Sequence, residues 1–217
     1  MTVPRGASGR FGGAVVHHGT VSAVDRGRYE GIEATAIGRT LVDCAAILDQ
    51  KTLNRVVDGA FGKGLATHRS VMDAWRRAGP ARGGTRLEAA LAPYATGAEP
   101  GSVAAANLLR RICEWGLPMP LCEYEIRDQH GEWVATVDFA WPAWWLVLEY
   151  DGGEAHGPRR RRLDARRQAA VEVIGWRVEW ADRFDLRPAR SRLFDLLSTV
   201  LAQPPWPERD RSRSRPA

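Results

Sequence analysis

Trp144-Trp145-Leu146-Val147-Leu148 is an apolar run that ends on two acids, Glu149 and Asp151, and this is the tightest constraint the sequence sets. Such a run reads as a buried strand, and side chains alternate along a strand with a period of two. Residues 147, 149 and 151 therefore share one face. The strand before it, 133–140, carries Asp138. With Pro142 and Ala143 as a two-residue connection, Asp138 pairs across from Val147 and has Glu149 as its diagonal neighbour. Asp138, Glu149 and Asp151 then converge at one end of a sheet. Three carboxylates this close repel one another unless one is protonated or a cation compensates. One to three carboxylate oxygens suit Mg2+ or Mn2+. Such a site serves phosphodiester hydrolysis, because the ion lowers the pKa of a water and stabilises charge on the phosphate. Taken alone, two acids on neighbouring strands are also what a solvated sheet edge carries.

The elements around this pair follow in a readable order. The stretch 95–101, ATGAEPG, reads as a linker. After it the pattern predicts a helix over 102–115, with Ser102 as N-cap and Leu108, Leu109 and Ile112 on one face. Strands follow over 121–127, 133–140 and 144–150. Then come a helix over 160–174 ended by Gly175, a strand over 176–181, and a helix over 188–201 stopped by Pro204 and Pro205. The order is α-β-β-β-α-β-α. Before the linker, short β-like pieces over 14–18 and 31–36 precede a helix from Arg39, where Leu41, Val42, Cys44, Ala45 and Leu48 recur at helical spacing. Further helices fit 53–61, 70–77 and 86–91. The fold class is α/β, of the α+β kind: a smaller, mostly helical region over 1–95, a main domain over 96–203, and a tail over 204–217. The tail is polar, rich in Arg, Ser and Pro, and expected to be disordered.

Charge distribution says more than the total of +5. Lys51 and Lys63 are the only lysines; the abundant arginine fits a GC-rich genome. Arg159, Arg160, Arg161, Arg162, Arg166 and Arg167 against Asp164 concentrate five net positive charges in nine residues. Cations at a helix N-terminus oppose the macrodipole by roughly 0.3–1 kcal/mol each, so phosphate contact explains the run better than helix stability does. A solvated helix face remains the plainer reading. Cys44, Cys113 and Cys122 match neither zinc spacing nor a CxxC pair and fit a reducing compartment. No apolar run approaches the ~20 residues that span a bilayer, and the opening MTVPRGASGRFGG lacks the apolar core of a signal peptide. The expectation is a cytoplasmic protein.

The run VDFAWPAWWLVLEYDG, followed by His156, Asp164 and Arg167 and then by GWRVEW, resembles the nuclease domain related to very-short-patch-repair (Vsr-like) endonucleases of the PD-(D/E)XK superfamily. The earlier half, with Gly31-Ile32, Thr35, Arg39-Thr40-Leu41 and Asp43, resembles the tail of an abortive-infection antitoxin module. The resemblance implies a restriction-endonuclease-like core, metal binding by Asp138 and Glu149 with Asp151 in the third position of an E-x-D variant, and His156, Asp164 and Arg167 beside the site. DNA is the implied partner, with a cognate toxin or another protein as a further one. The chain departs from the pattern in three ways. No lysine lies near the site, so Arg167 or His156 would take its part. Val103, Ala104 and Ala105 follow Ser102 where relatives carry a helical glutamate. A leading winged-helix segment found in longer relatives is expected to be missing.

Two function classes follow: a metal-dependent DNA endonuclease, or a catalytically inactive nucleic-acid-binding or antitoxin-like regulator. A module binding an acidic protein partner through the arginine run is a third. His156 reads as either a base or a hydrogen-bonding loop residue. Arg39, Thr40 and Asp43 read as capping and packing residues. Most tryptophans read as core, with Trp141 at the turn the best candidate for exposure and base stacking.

Overall fold

The computed structural model describes residues 2–3, 17–18, 20–79, 82–151, 158–187 and 191–205, with the backbone alone at 2–3, 17–18 and 158–164. The chain divides into two compact units, Met1–Ala60 with Leu65–Gly97, and Phe61–Gly64 with Ala98–Ala217.

In the first unit, β1 (Thr2–Val3) and β2 (His17–His18) pair in parallel, and β3 (Arg26–Tyr29) and β4 (Ile32–Thr35) form a hairpin. Its two-residue turn needs left-handed backbone at both positions, and Glu30 (φ 48°) and Gly31 (φ 82°) supply it. Four helices follow: α1 (Ile37–Ile47), α2 (Gln50–Phe61), α3 (His68–Ala78) and α4 (Gly84–Leu91). Their apolar stripes supply Leu41, Val42, Leu53, Val57, Val71, Leu87 and Leu91 to a core from which water is almost wholly excluded. Two polar ties run through it. Asp25, 1% exposed, accepts from Arg77 Nη2 at 2.6 Å and from the Ser22 hydroxyl at 2.6 Å; the bond to Arg77 outweighs burial and holds its carboxyl below the ordinary range. Tyr94 donates to Asp58 at 2.5 Å.

In the second unit α5 (Val103–Glu114) starts where the Ser102 side chain accepts from the Ala105 N–H at 3.0 Å, satisfying an otherwise orphaned donor. Then come β5 (Leu121–Arg127), β6 (Trp133–Trp141), β7 (Leu146–Tyr150), α6 (Pro158–Val173), β8 (Arg177–Ala181) and α7 (Arg192–Leu201). The order is α-β-β-β-α-β-α, as the periodicity predicts. The four strands form one mixed sheet in the order β5-β6-β7-β8, antiparallel except for the parallel pair β7–β8. Helix α6 packs on β6 and β8. Ile126, Ala135, Val137 and Val147 of the sheet meet Val171 of α6 and Trp176 in one buried cluster. Val147 and Leu148 point to opposite faces, and both are fully buried. Burying each contributes roughly 1.5–3 kcal/mol, and this fixes β7 in the centre of the unit.

The connection between β6 and β7 is longer than the two residues predicted. Trp144 lies in a 3-10 turn over Pro142–Trp144, and Trp145 follows in left-handed backbone at φ 50°. Trp145 packs on Trp176 at 5.4 Å, and its carbonyl accepts from the Arg177 N–H at 2.7 Å, where β8 begins. That anchoring offsets the strain of a bulky residue at positive φ.

Candidate functional site: an acid pair facing an arginine

The longer connection changes the register and with it the site. Phe139 pairs with Leu148, Ala140 with Val147 and Trp141 with Leu146. Val147 is therefore opposite Ala140, not Asp138, and the register continued by one residue sets Asp138 straight across from Glu149. At that point the side chains take over the ladder. The Asp138 N–H donates to Glu149 Oε2 at 3.2 Å, and the Tyr150 N–H donates to Asp138 Oδ2 at 2.8 Å.

The two carboxyls share an environment that resists charge. Glu149 is 8% exposed; burial and then the charge of Asp138 push its carboxyl up to about 7. Burial raises Asp138 as well, against the lowering pull of the Tyr150 N–H and Arg167. Arg167, from α6, donates through Nη2 to Glu149 Oε1 at 3.2 Å. Its side chain is 43% exposed, so water screens it and it cancels the repulsion only in part.

A third acid joins from β5, one that the sequence pattern did not single out. Cys122 pairs with Phe139 and Tyr124 with Val137, which sets Glu123 opposite Asp138. Glu123 holds φ 48°, a conformation that costs a non-glycine residue of order 1–3 kcal/mol and that clusters at functional sites. Although Glu123 is exposed as a residue, its carboxyl is raised by partial desolvation and by Asp138, against the Gly101 N–H, which donates to Oε1 at 3.0 Å. Glu123, Asp138 and Glu149 thus form a row across three strands. Counting back through the Asp128–Gly131 turn sets Leu121 across from Asp138, and it is the register shift between Ile126 and Arg127 that brings Glu123 there. The resemblance points instead to the helix after Ser102 for an acid of this kind. Cys122, next to this row, is pushed up to about 12, chiefly by burial.

A Cβ on Gly101 would lie 2.2 Å from Glu123 Oε1, the movable end of a side chain. Gly101→Ala is therefore expected to leave stability within about 0.5 kcal/mol, as surface changes do, while expelling the carboxylate. Carbon-detected NMR titration should then show Glu123 falling towards its ordinary value. An unchanged titration would remove Glu123 from the row.

Asp151 stands exposed just past β7, where its N–H donates to Ala181 O at 2.8 Å. Among the described residues, no group of three or more His, Cys, Asp or Glu is placed to hold a metal ion. The expected convergence of Asp138, Glu149 and Asp151 gives way to a pair with neighbours. The two residues added by the turn bring Glu149 level with Asp138; Asp151 lies two residues further along, exposed and past the end of β7. His156 lies outside the described residues, as do the side chains of Arg159, Arg160, Arg161, Arg162 and Asp164 and the tail beyond residue 205. Arg166 is exposed on α6. Trp141, expected at the surface, is 2% exposed and donates its indole N–H to Pro118 O at 2.7 Å; the exposed tryptophan at the site is Trp180, at 44%. Arg39 and Asp43 form an ion pair at 2.9 Å. Thr40 bonds Ala36 O and does not cap the helix, whose N-cap, Ala36, makes no side-chain bond.

The donor chemistry of the pair suits a hard divalent cation. Mg2+ commonly takes one or two carboxylates and completes its shell with water and phosphate oxygens, and two carboxyls held above their ordinary range lack a full counter-charge.

Fold and site together define a mixed α+β protein with an acid pair beside an exposed arginine. Over 153 residues the chain is 32% identical to uncharacterized proteins from two strains of Mycobacterium tuberculosis, across 70% of this chain and 55% of each relative. It spans about half the length of the curated relatives it matches. No family model matches the chain, and no solved structure matches it. Among the described residues no helix is long and apolar enough to cross a membrane.

Proposed function

We propose that the second unit has a restriction-endonuclease-like core and hydrolyses phosphodiester bonds in DNA, with Mg2+ or Mn2+ held by Asp138 and Glu149. The observation that carries this reading is the acid pair itself: a buried Glu149 and a half-buried Asp138 level with each other on adjacent central strands, both carboxyls raised, with an exposed guanidinium one bond away. A divalent ion in that place would supply charge neutralisation and a water of lowered pKa. The chain's own groups do the rest. Glu149 gives up at neutral pH the proton that its raised carboxyl retains. Arg167 turns from Glu149 Oε1 to a phosphate oxygen, a charge-assisted contact suited to its fork of donors. Glu123 adds negative charge from β5, in the part that the resemblance assigns to α5.

A catalytically inactive nucleic-acid-binding or antitoxin-like regulator is the second reading. It is favoured by the Arg167–Glu149 ion pair, in which a protein cation already occupies one side of the site.

Calorimetry with Mg2+ and Mn2+, on wild type and on Asp138→Ala/Glu149→Ala, separates the two, with plasmid cleavage assayed on the same samples. The nuclease reading expects metal binding and cutting, both lost in the double variant. Absence of binding at millimolar metal removes that reading in favour of the regulator.

A further inference from the structure

Trp180 is the fourth member of the row. In the parallel ladder Glu149 pairs with Trp180, and neighbouring strands lie about 4.8 Å apart. The row from β5 to β8 thus reads Glu123, Asp138, Glu149, Trp180. Trp176 and Val178 share its face of the chain. Both belong to the packed cluster, where Trp176 touches Trp145 at 5.4 Å and Tyr124 at 5.9 Å. Trp180 runs past the end of that packing. It lines an open hollow with Glu149, Arg167, Gln168 and Val171, and it stays 44% exposed. Just beyond β8, Phe184 is 49% exposed, with the guanidinium groups of Arg183 and Arg187 at 5.0 and 4.6 Å from its ring centre. The acids of the same turn, Asp182 and Asp185, accept from backbone N–H groups, Asp182 from that of Phe184 and Asp185 from that of Asp182.

A lone exposed aromatic is ordinary. An indole bordering a hollow that also holds an acid and an arginine, and followed by a ring flanked by two arginines, is the combination that engages unpaired nucleic acid. Aromatic faces take the bases and arginines follow the backbone. Duplex DNA hides its base faces and gains nothing from such a surface.

We propose that Trp180 is a stacking platform for an unpaired nucleobase, with Phe184 as a second, so that the ligand is single-stranded or locally opened nucleic acid. This rests on the nucleic-acid part of the proposed function and is independent of cleavage.

The test is fluorescence anisotropy with a short labelled oligothymidylate, the matching duplex and an abasic oligomer, in EDTA, on the full chain and on Trp180→Ala and Trp180→Phe. Trp180→Ala is expected to weaken single-strand binding about tenfold or more, with Trp180→Phe keeping most of it. Duplex binding should be unchanged, and wild type and Trp180→Ala should bind the abasic oligomer equally. Oligouridylate in the same assay decides between DNA and RNA as the source of the base. Equal single-strand affinity of wild type and Trp180→Ala overturns the proposal, as does a loss of equal size on the abasic oligomer or a wild type that binds no oligomer. Because metal is withheld, metal binding and plasmid cutting can persist while stacking fails, and stacking can persist while they fail.

Discussion

Glu149→Gln is expected to stabilise the metal-free protein by about 2 kcal/mol near pH 8 and to give no gain near pH 5. A carboxyl held near 7 in the folded chain, against an ordinary 4.5, keeps its proton in the fold after the unfolded chain has released it. Stability is therefore full below about pH 4.5, declines as pH rises, and stays low above about 7, a loss of about 3 kcal/mol. Glutamine carries no charge and escapes that loss. Its amide nitrogen cannot accept one of the bonds that Glu149 takes from Arg167 and from the Asp138 N–H, which returns about 1 kcal/mol. Urea unfolding in EDTA at both pH values measures the difference. A gain of the same size at pH 5 and pH 8 would show that charge is not its source. Because the same variant removes a proposed metal ligand, greater stability with loss of metal binding would mark Glu149 as a residue kept at a cost to the fold.

The larger effect is expected in the first unit. Gly83→Ala should destabilise it by about 3–5 kcal/mol, combining left-handed strain with a forced backbone shift. Gly83 sits at φ 88° ahead of α4, and a Cβ there would lie 1.9 Å from the Ala45 carbonyl oxygen. That oxygen cannot retreat freely, because Arg86 holds it through Nε at 3.2 Å and Nη2 at 2.9 Å near the end of α1. Gly31 is the control: it has nearly the same dihedral, φ 82°, and a Cβ added there would meet nothing within 4 Å. Gly31→Ala should cost only about 1–2 kcal/mol, the dihedral penalty alone. Thermal unfolding by circular dichroism compares the two. Equal losses would mean that the approach to Ala45 carries no energy.

Which parts of this structure were legible in the sequence follows from where the information lies. The period-two pattern of Leu121–Arg127 and the apolar run through Leu146–Tyr150 gave their strands, and Ser102 capped its helix as its chemistry dictates. Those are local properties. Register is not, because it depends on turn geometry. Pro142-Ala143 reads as a two-residue turn, but the Trp145 ring finds its partner in Trp176, thirty-one residues away in sequence, and that contact draws two more residues into the connection. Asp138 and Glu149 were therefore read as diagonal neighbours, two residues out of their true register. Trp141 and Trp180 exchanged roles for a similar reason: a carbonyl at Pro118 buries the first, and the end of the packed cluster exposes the second.

The left-handed backbone at Glu123 also bears on how the molecule meets others of its kind. Among the described residues, strand β5 is an outer strand of its sheet, with β6 beside it. A long, regular outer strand is a template on which a second chain can add itself, the first step of aggregation. In β5 that template is broken near its start by the φ of Glu123 and interrupted by charge at Glu123, Glu125 and Arg127. The residue that extends the acid row thus also guards the margin of the sheet, so replacing it for the sake of chemistry alone would leave a smoother and stickier edge.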